Sequence, residues 1–295
     1  AKRLYQQANE IVGYDLLKLS LEGPEEALKL TRHTQPVLLT HSLACLEIFR
    51  ELTDGRVKPV LAGGHSLGEY CALVAAGALD FETALRLVQK RGECMGTYGE
   101  GEILAFPLHL DNVRALAEKH FCAVAACNLS DQTVVGGLGE DLDRLTEDAH
   151  AHFPRKRPTR LKTEGAFHTF YMIAAALHYR PVLDAAPMTA PTVRVLSNYT
   201  GARHEPDPAA IKTRLFFQLF HPVNWIGNLD VAFRDEITAI VEFGGGLGSG
   251  PAPEDKRPNL ESMIKKAQRG SDFSVHYHAA INSQTLRETA EALRP

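Results

Sequence analysis

The feature that most constrains this chain is a G-x-S-x-G motif at residues 64–68, with Ser66 at its centre. It lies between the apolar run 60–62 and a helix-like stretch over 69–79, the strand, turn and helix context of a nucleophile elbow. Such a turn is tight, and a side chain in place of either glycine is expected to clash with the neighbouring strand and helix. The turn presents the Ser66 hydroxyl at a helix N-terminus, where the Leu67 N–H can face an oxyanion. We therefore predict an acylated serine rather than a glycine-rich turn with an incidental one.

Length and composition exclude several classes of protein. The 295 residues are enough for one large domain, or for a large domain with a small insertion. A net charge of −4 argues against nucleic acid as a partner, and no apolar run approaches the ~20 residues that cross a membrane. The five cysteines show no CxxC pair and no metal-ligand spacing. We therefore expect a cytoplasmic monomer with reduced thiols and no metal site.

Helix-like and strand-like segments alternate around the elbow, which predicts an α/β-hydrolase-like core with a parallel sheet. The pattern changes over 102–165, where a β-α-β-β-α-β order predicts an inserted ferredoxin-like small subdomain. The core is then residues 1–101 and 166–295. Its predicted elements are helices over 1–53, 69–79, 81–95 and 208–220, and strands at 57–62, 193–196 and 239–243. Those of the insertion are strands at 103–110, 123–127, 133–135 and 160–162, and helices at 111–120 and 141–151.

A nucleophilic serine needs a base within hydrogen-bond reach, and the chain offers thirteen histidines. His65 adjoins Ser66, but consecutive residues on a sharp turn point apart, so we expect it to pack or to cap. His168 is the best candidate, because it stands where the predicted insertion returns to the core and a cleft would lie. Most such histidines are structural, which keeps that alternative open, and His221 is a weaker competitor.

Arg91 lies on the apolar face of the predicted helix 81–95, three and four residues after Val88 and Leu87. A guanidinium that points inward needs a negatively charged or multiply accepting partner. One interpretation is a structural ion pair with a buried carboxylate, or a side chain that reaches back to solvent. The other is a two-pronged clamp for a substrate carboxylate, a geometry that arginine suits better than lysine.

Together these features resemble the malonyl-CoA:acyl-carrier-protein transacylases, and among them the free-standing acyltransferases that serve modular polyketide synthases. The segments that carry the resemblance are 13–16, 34–36, 64–70, 91–92, 165–168, 197–198 and 218–223. The resemblance implies that Ser66 is acylated and that His168 is its base, oriented by the main-chain carbonyl of Gln218. It also implies that Arg91 binds the malonyl carboxylate and that Gln35 lines the pocket.

Three further roles follow from the resemblance alone. Leu67 would supply one oxyanion N–H, Phe167 is the malonyl-type residue of its segment, and Asn198 would bind substrate. The chain also departs from the family pattern. The family's first strand ends in a Gly-Gln-Gly turn with a second oxyanion donor, and this chain begins after that point, so we expect acylation slowed by ~10²–10³-fold where that donor is absent. Residues 244–246 are all glycine where the family commonly has Gly-Pro-Gly, which leaves open a substituted malonyl group.

The implied reaction is a two-step transfer through acyl-Ser66, with an acyl-CoA as substrate, no tightly bound cofactor and an acyl carrier protein as acceptor. Such a carrier is expected to be acidic, and short basic runs are the candidate docking sites, although such runs are usually just solvated surface. They are residues 155–157 with Arg160 and Lys162, residues 256–257, and residues 265–266.

Two other functions remain open. The same elbow serves esterases, so an editing acyl-thioester hydrolase of a polyketide pathway is one alternative. An inward arginine discriminates against it, because a general esterase has no use for that cation. The second alternative is a docking module without catalysis, against which the intact Ser66, His168 and Gln218 argue.

Overall fold

Helices form most of the first hundred residues in the computed structural model, which describes residues 1–246, 248, 250, 252–269, 271 and 273–294. Residues 1–53, predicted as helical, contain α1 (Lys2–Val12), α2 (Leu16–Glu22), α3 (Glu25–Lys29) and α4 (Thr31–Leu52). α1 ends at Gly13, which takes the left-handed conformation with φ of 79°. Among the described residues, no helix is both long enough and apolar enough to span a bilayer.

The main core lies between α4 and the helices that follow the elbow. These are α5 (Gly68–Ala75), α6 (Phe81–Tyr98), α9 (Ile173–Ala185) and α10 (Pro208–Gln218). α6 crosses α4 at Gly92, where a Cβ would lie 2.6 Å from the main-chain oxygen of Thr31. Glycine therefore lets two helices of the core approach closely, and the residue before it, Arg91, faces α4.

The core strands pair in parallel, but in two separate places rather than in one continuous sheet. β1 (Leu61–Ala62) pairs parallel with β6 (Arg194–Ser197), which pairs antiparallel with β7 (Ala202–Arg203). Elsewhere β9 (Ala239–Phe243) pairs parallel with β10 (His276–Ala280). The prediction of a strand over 57–62 is wrong before Leu61, because Pro59 has no N–H to donate and Val60 is 60% exposed.

A five-stranded sheet contains the residues of the predicted insertion. Its strands are β2 (Glu102–Phe106), β3 (Ala123–Leu129), β4 (Gln132–Gly137), β5 (Thr159–Leu161) and β8 (Val223–Asn224), in the order β5-β2-β4-β3-β8. The first four are antiparallel, and β8 joins parallel to β3. β2 ends at Phe106, not at Leu110 as predicted, because Pro107 cannot donate and His109 already caps the next helix.

The two faces of this sheet have different neighbours. α7 (Leu110–Lys119) and α8 (Gly139–His152) bury one set of side chains with β2 and β4, including Phe106, Val135 and Leu142. Another set packs under α11 (Trp225–Arg234) and α12 (Glu261–Arg269), through Trp225 and Ile264. In a separate cluster, α13 (Ser283–Ala292) packs its apolar residues with those of α4. The sheet therefore has a core of its own and a second contact with the rest of the chain.

Candidate active site

The elbow places Ser66 between β1 and the first residue of α5, with its backbone in the left-handed region at φ of 52°. A Cβ at Gly64 would lie 2.2 Å from the main-chain carbon and oxygen of Gly68, so glycine is required there. The prediction that both glycines avoid a clash is wrong at Gly68, where a Cβ would meet no atom within 4 Å. The strained turn is therefore enforced from one side only.

Asn198, which follows β6, holds the main chain of the elbow in place. Its Oδ1 accepts from the Ser66 N–H at 2.5 Å, and its Nδ2 donates to the Gly64 oxygen at 2.8 Å. Its side chain is fully buried. Both polar atoms of the carboxamide are hydrogen-bonded to the elbow, so Asn198 stabilises the backbone conformation around Ser66.

Ser66 and His168 lie within hydrogen-bond distance, with Oγ 2.7 Å from Nε2. The other ring nitrogen, Nδ1, lies 2.7 Å from the main-chain oxygen of Gln218. That carbonyl accepts the Nδ1 hydrogen and leaves Nε2 as the acceptor for the serine proton. His168 is itself held in the left-handed region, at φ of 64°, and its N–H donates to Leu219. The arrangement can remove a proton from Ser66 with a carbonyl, not a carboxylate, orienting the base.

Burial lowers the pKa of His168 to about 3, and the positive charge of Arg91 adds to the effect. The hydrogen bond to Gln218 opposes the shift, and His65 contributes in the same direction as Arg91. The imidazole is therefore neutral throughout the physiological range. A neutral imidazole is the form that accepts a proton from serine.

Arg91 extends from α6 into the site and is 1% exposed. One terminal nitrogen donates to Gln35 Oε1 at 2.9 Å, and the other donates to Gln218 Oε1 at 3.0 Å and to Ser66 Oγ at 3.1 Å. The guanidinium carbon lies 5.7 Å from the centre of the Tyr70 ring. Across the described residues, no carboxylate lies within 4.0 Å of its nitrogens. The structural ion pair considered from sequence is therefore not formed, and a buried cation lies beside the Ser66 hydroxyl.

The residues around Arg91 restrict the movement of its side chain. Gln35 lies in α4, is 5% exposed, and donates its Nε2 to the Met95 sulfur at 3.4 Å. Tyr70 is fully buried, with its hydroxyl 3.0 Å from that of Tyr179. The acceptors of the guanidinium are therefore all neutral: two amide oxygens on α4 and α10, and the Ser66 hydroxyl.

The comparisons with known proteins show the family of this chain. A sequence model described as the acyl transferase domain matches residues 2–217. The malonyl CoA-acyl carrier protein transacylase of Bacillus subtilis is 36% identical over 278 residues, which cover 91% of this chain and 83% of that protein. The chain belongs to the acyl transferase family. The resemblance read from the sequence is therefore confirmed.

Two other members of the acyl transferase family extend the match. The polyketide biosynthesis malonyl CoA-acyl carrier protein transacylase PksC, also of Bacillus subtilis, is 33% identical and aligns with 83% of this chain and 85% of its own length. A solved malonyl-transacylase, in complex with its type II polyketide synthase acyl-carrier protein, superposes with a TM-score of 0.87 at 27% identity. That alignment covers 99% of this chain and 91% of the solved one. The mixed α/β fold is therefore that of the acyl transferase family.

The remaining sequence candidates lie in different places. Leu67 precedes α5, and in the described part of the chain its N–H donates to no other group. Phe167 is half-buried and packs against the main core. His65 Nε2 donates to Asn128 Oδ1 of β3 at 2.9 Å, and its ring packs near Trp225, so His65 joins the elbow to the five-stranded sheet.

The other competitors for a chemical role are accounted for by local contacts. His221 lies 3.0 Å from the Phe217 oxygen, four residues earlier in the chain, within a group of aromatic rings. The five cysteines form no disulfide, and burial raises the pKa of each thiol. Within the described residues there is no cluster of histidine, cysteine or carboxylate side chains that could hold a metal ion.

Sequence reasoning missed Glu69 and His204. Glu69 is fully buried in α5, and its Oε1 lies 2.6 Å from His204 Nε2. The signal for Glu69 was present, because the residues three and four positions later, Ala72 and Leu73, are apolar and buried with it. The same argument from helical faces that selected Arg91 would have selected this carboxylate. No comparable pattern marks His204, which lies in an irregular segment after β7.

The elbow contacts predict a difference between its two glycines. Gly64→Ala brings a methyl group into the main chain of Gly68, so we expect a loss of several kcal/mol in the free energy of unfolding, at least ~3 kcal/mol. Gly68→Ala is the matched control, and we expect it to be neutral or slightly stabilising because alanine is favoured in a helix. Thermal or urea unfolding measures both. Equal stability of the two variants would contradict the close approach at Gly64.

The lowered pKa of His168 predicts the pH dependence of Ser66 acylation. A histidine of ordinary pKa ~6.5 would lose about 30-fold of its neutral form between pH 8 and pH 5. Because the folded pKa is about 3, His168 remains neutral over this range, and we expect the single-turnover rate to change by less than ~3-fold. Rapid-quench mass spectrometry measures that rate. A fall that follows a group titrating near pH 6.5 would show that the shift is absent in the reacting enzyme.

Proposed function

We propose that this chain transfers a malonyl-type group from CoA, or from a carrier, to the phosphopantetheine thiol of an acyl carrier protein through acyl-Ser66. The observation that carries the proposal is the Arg91 guanidinium, buried next to Ser66 Oγ without a carboxylate partner. A buried cation is costly unless an anion reaches it. A carboxylate on the substrate would be that anion. The 3.1 Å between Arg91 and Ser66 Oγ suits an acyl group whose carboxylate lies a few bonds from its carbonyl.

In the first half-reaction, Ser66 Oγ attacks the thioester carbonyl while His168 Nε2 takes its proton. The oxyanion of the tetrahedral intermediate accepts a hydrogen bond from the Leu67 N–H, which has no acceptor within the described chain. The carbon–sulfur bond then breaks, and His168 returns the proton to the CoA thiolate. In the second half-reaction, the carrier thiol gives its proton to His168 Nε2 and attacks the acyl carbonyl. The ester carbon–oxygen bond then breaks, and His168 returns the proton to Ser66 Oγ. The sequence of steps uses no tightly bound cofactor.

Arg91 selects the acyl group in this scheme, and Gln35 aids it. The substrate carboxylate would take two donors from the guanidinium and displace its contact with Ser66, which frees the hydroxyl to attack. Gln35 then keeps its own hydrogen bond to Arg91 and lines the pocket, and Phe167 borders it as the malonyl-type residue of its segment. Asn198 acts on the elbow rather than on substrate, since its carboxamide is already engaged.

The architecture fits a cleft between two units. We propose residues 102–165 as the ferredoxin-like subdomain, since their four strands have the order β5-β2-β4-β3 and a core of their own under α7 and α8. Residues 1–101 and 166–295 are then the α/β-hydrolase-like core. His168 stands just after the subdomain returns to the core, and His65 reaches across to β3.

Names of relatives support a carrier protein as the partner. One solved member of the family is in complex with its acyl-carrier protein. On this chain the basic run at 155–157 is exposed and available to an acidic carrier, whereas Arg160 is already paired with Glu102 and Asp143. Lys256 donates to Gly248, and Lys265 pairs with Glu261 at 2.5 Å. In each of these two runs one basic side chain is engaged, whereas none of the side chains at 155–157 forms an ion pair or hydrogen bond with the described residues. The docking site that we propose is therefore the run at 155–157.

The proposal is tested by intact-protein mass spectrometry after brief incubation with malonyl-, methylmalonyl- or acetyl-CoA. We expect a malonyl adduct that is absent from Ser66→Ala and that moves to an added holo carrier protein. Steady release of free CoA and free malonate, with no transfer to the carrier, would instead show an editing hydrolase. Adducts from all three donors at equal rates would contradict selection by a buried cation.

Replacing Arg91 distinguishes a loss of carboxylate binding from a general loss of activity. We expect Arg91→Ala to lower malonyl transfer by ~10²–10³-fold, because a charged hydrogen-bonded contact is lost, while acetyl transfer is unchanged or faster. Arg86→Ala, on the exposed face of the same helix, is the matched control and should keep both activities. Steady-state kinetics with the two donors measure the ratio. An equal loss for malonyl and acetyl groups would remove Arg91 from substrate recognition.

A further inference from the structure

Glu69 is a buried carboxylate that no step of the proposed reaction uses. It is fully buried in α5, three residues after the nucleophile. Oε1 accepts from His204 Nε2 at 2.6 Å, and Oε2 accepts from the Asn198 N–H at 3.0 Å and from Gln218 Nε2 at 2.8 Å. Three donors thus converge on one carboxylate, which is the arrangement that makes a buried anion tolerable.

The Gln218 carboxamide joins this carboxylate to the arginine. Its Nε2 donates to Glu69 and also to the Ser66 main-chain oxygen at 3.0 Å, while its Oε1 accepts from Arg91 at 3.0 Å. Reversing the amide would turn its oxygen toward the carboxylate and its NH₂ toward the guanidinium, and both contacts would be repulsive. Glu69 and the Ser66 main-chain oxygen hold the NH₂ end of the Gln218 amide, and Arg91 holds its oxygen end.

The same two residues that Glu69 holds also position Ser66 and its base. The main-chain oxygen of Gln218 accepts from His168, and the side chain of Asn198 accepts from the Ser66 N–H. Glu69 itself contacts none of the reacting atoms. Its influence on the nucleophile, the base and the clamp must pass through Gln218 and Asn198.

We infer that Glu69, held by His204, is a positioning residue that fixes the direction of the Gln218 carboxamide and thereby aligns Arg91 with Ser66. The inference rests on the proposed function, since it names what orients the same site. The Gln218 amide separates the charge of Glu69 from that of Arg91. Glu69 balances the buried cation without contacting it, so the guanidinium remains free to bind a carboxylate brought by the substrate.

A double-mutant cycle between Glu69→Gln and Gln218→Met tests this route. Gln218→Met removes the amide but keeps the main-chain carbonyl that orients His168. We expect each single variant to slow Ser66 acylation by malonyl-CoA by ~10–100-fold, and the double variant to be within ~3-fold of the slower single one, because both remove the same connection. The loss for acetyl-CoA should be at least ~5-fold smaller, since acetyl groups do not use Arg91.

The outcomes that overturn the inference are equally defined. Losses that multiply in the double variant would show that Glu69 acts independently of the Gln218 side chain. A wild-type rate in Glu69→Gln, or equal losses for malonyl and acetyl groups, would also overturn it. If Glu69→Gln does not fold, His204→Leu takes its place in the cycle, because it removes the donor that holds the other carboxylate oxygen.

Glu242→Gln is the matched control for removing a buried charge. Glu242 of β9 is 8% exposed and also accepts three donors, the main-chain N–H groups of Asn259 and Leu260 and the hydroxyl of Tyr277. None of these residues belongs to the proposed site. We expect Glu242→Gln to lower thermal stability as Glu69→Gln does, yet to keep malonyl acylation within ~3-fold of wild type. Equal loss of acylation in both would make the role of Glu69 one of stability alone, which overturns the inference.

A second readout separates this inference from the proposed function. A fluorophosphonate probe labels an activated serine without any acyl-CoA. Wild-type protein that is labelled but takes no malonyl group would overturn the proposed function, and the same cycle would then be measured on labelling rates. There we expect the Glu69 and Gln218 effects to remain non-additive, and additive effects would overturn the inference.

Discussion

The burial of one guanidinium is the interaction on which the rest of the site depends. Arg91 is 1% exposed, and its terminal nitrogens are held by the amide oxygens of Gln35 and Gln218 and by the Ser66 hydroxyl. Its charge helps to lower the pKa of His168. A direct carboxylate would have neutralised the cation and closed the clamp. Neutral oxygens hold the cation instead, with Glu69 one amide away, which is why we propose that a substrate acid completes this positive site.

The elbow supplies the second constraint, and it is a steric one. Gly64 must pass within contact distance of Gly68, and Ser66 must take a positive φ. Strain of this kind persists only where neighbouring groups hold it. Here the carboxamide of Asn198 does so from the end of β6, the strand that pairs with β1. The short parallel pairing of β1 with β6 and the position of Ser66 therefore depend on each other.

The local sequence pattern predicted most of the helices and strands to within a few residues, because apolar periodicity and capping involve residues that are close in the sequence. The segment over 102–165 shows this best, since strands and helices alternate there in the predicted order. The prediction failed for strands whose pairing partners are distant in the sequence. The strand predicted at 57–62 is ordered into a ladder only at β1, and the single parallel sheet became two separate pairings. Which strands meet is settled by packing between layers, which no local window contains.

The sequence by itself predicted the elbow around Ser66, the buried helix face that carries Arg91 and the family to which the chain belongs. Each of these is encoded by residue types at short, fixed spacing. Only the tertiary structure decided that Arg91 has no carboxylate partner in the described chain, that Asn198 serves the elbow, and that Glu69 and His204 pair beneath it. Glu69 and His204 are separated by 135 positions in the chain. Their meeting depends on how β6, α5 and α10 pack together, and so does the direction of the amide between the two buried charges.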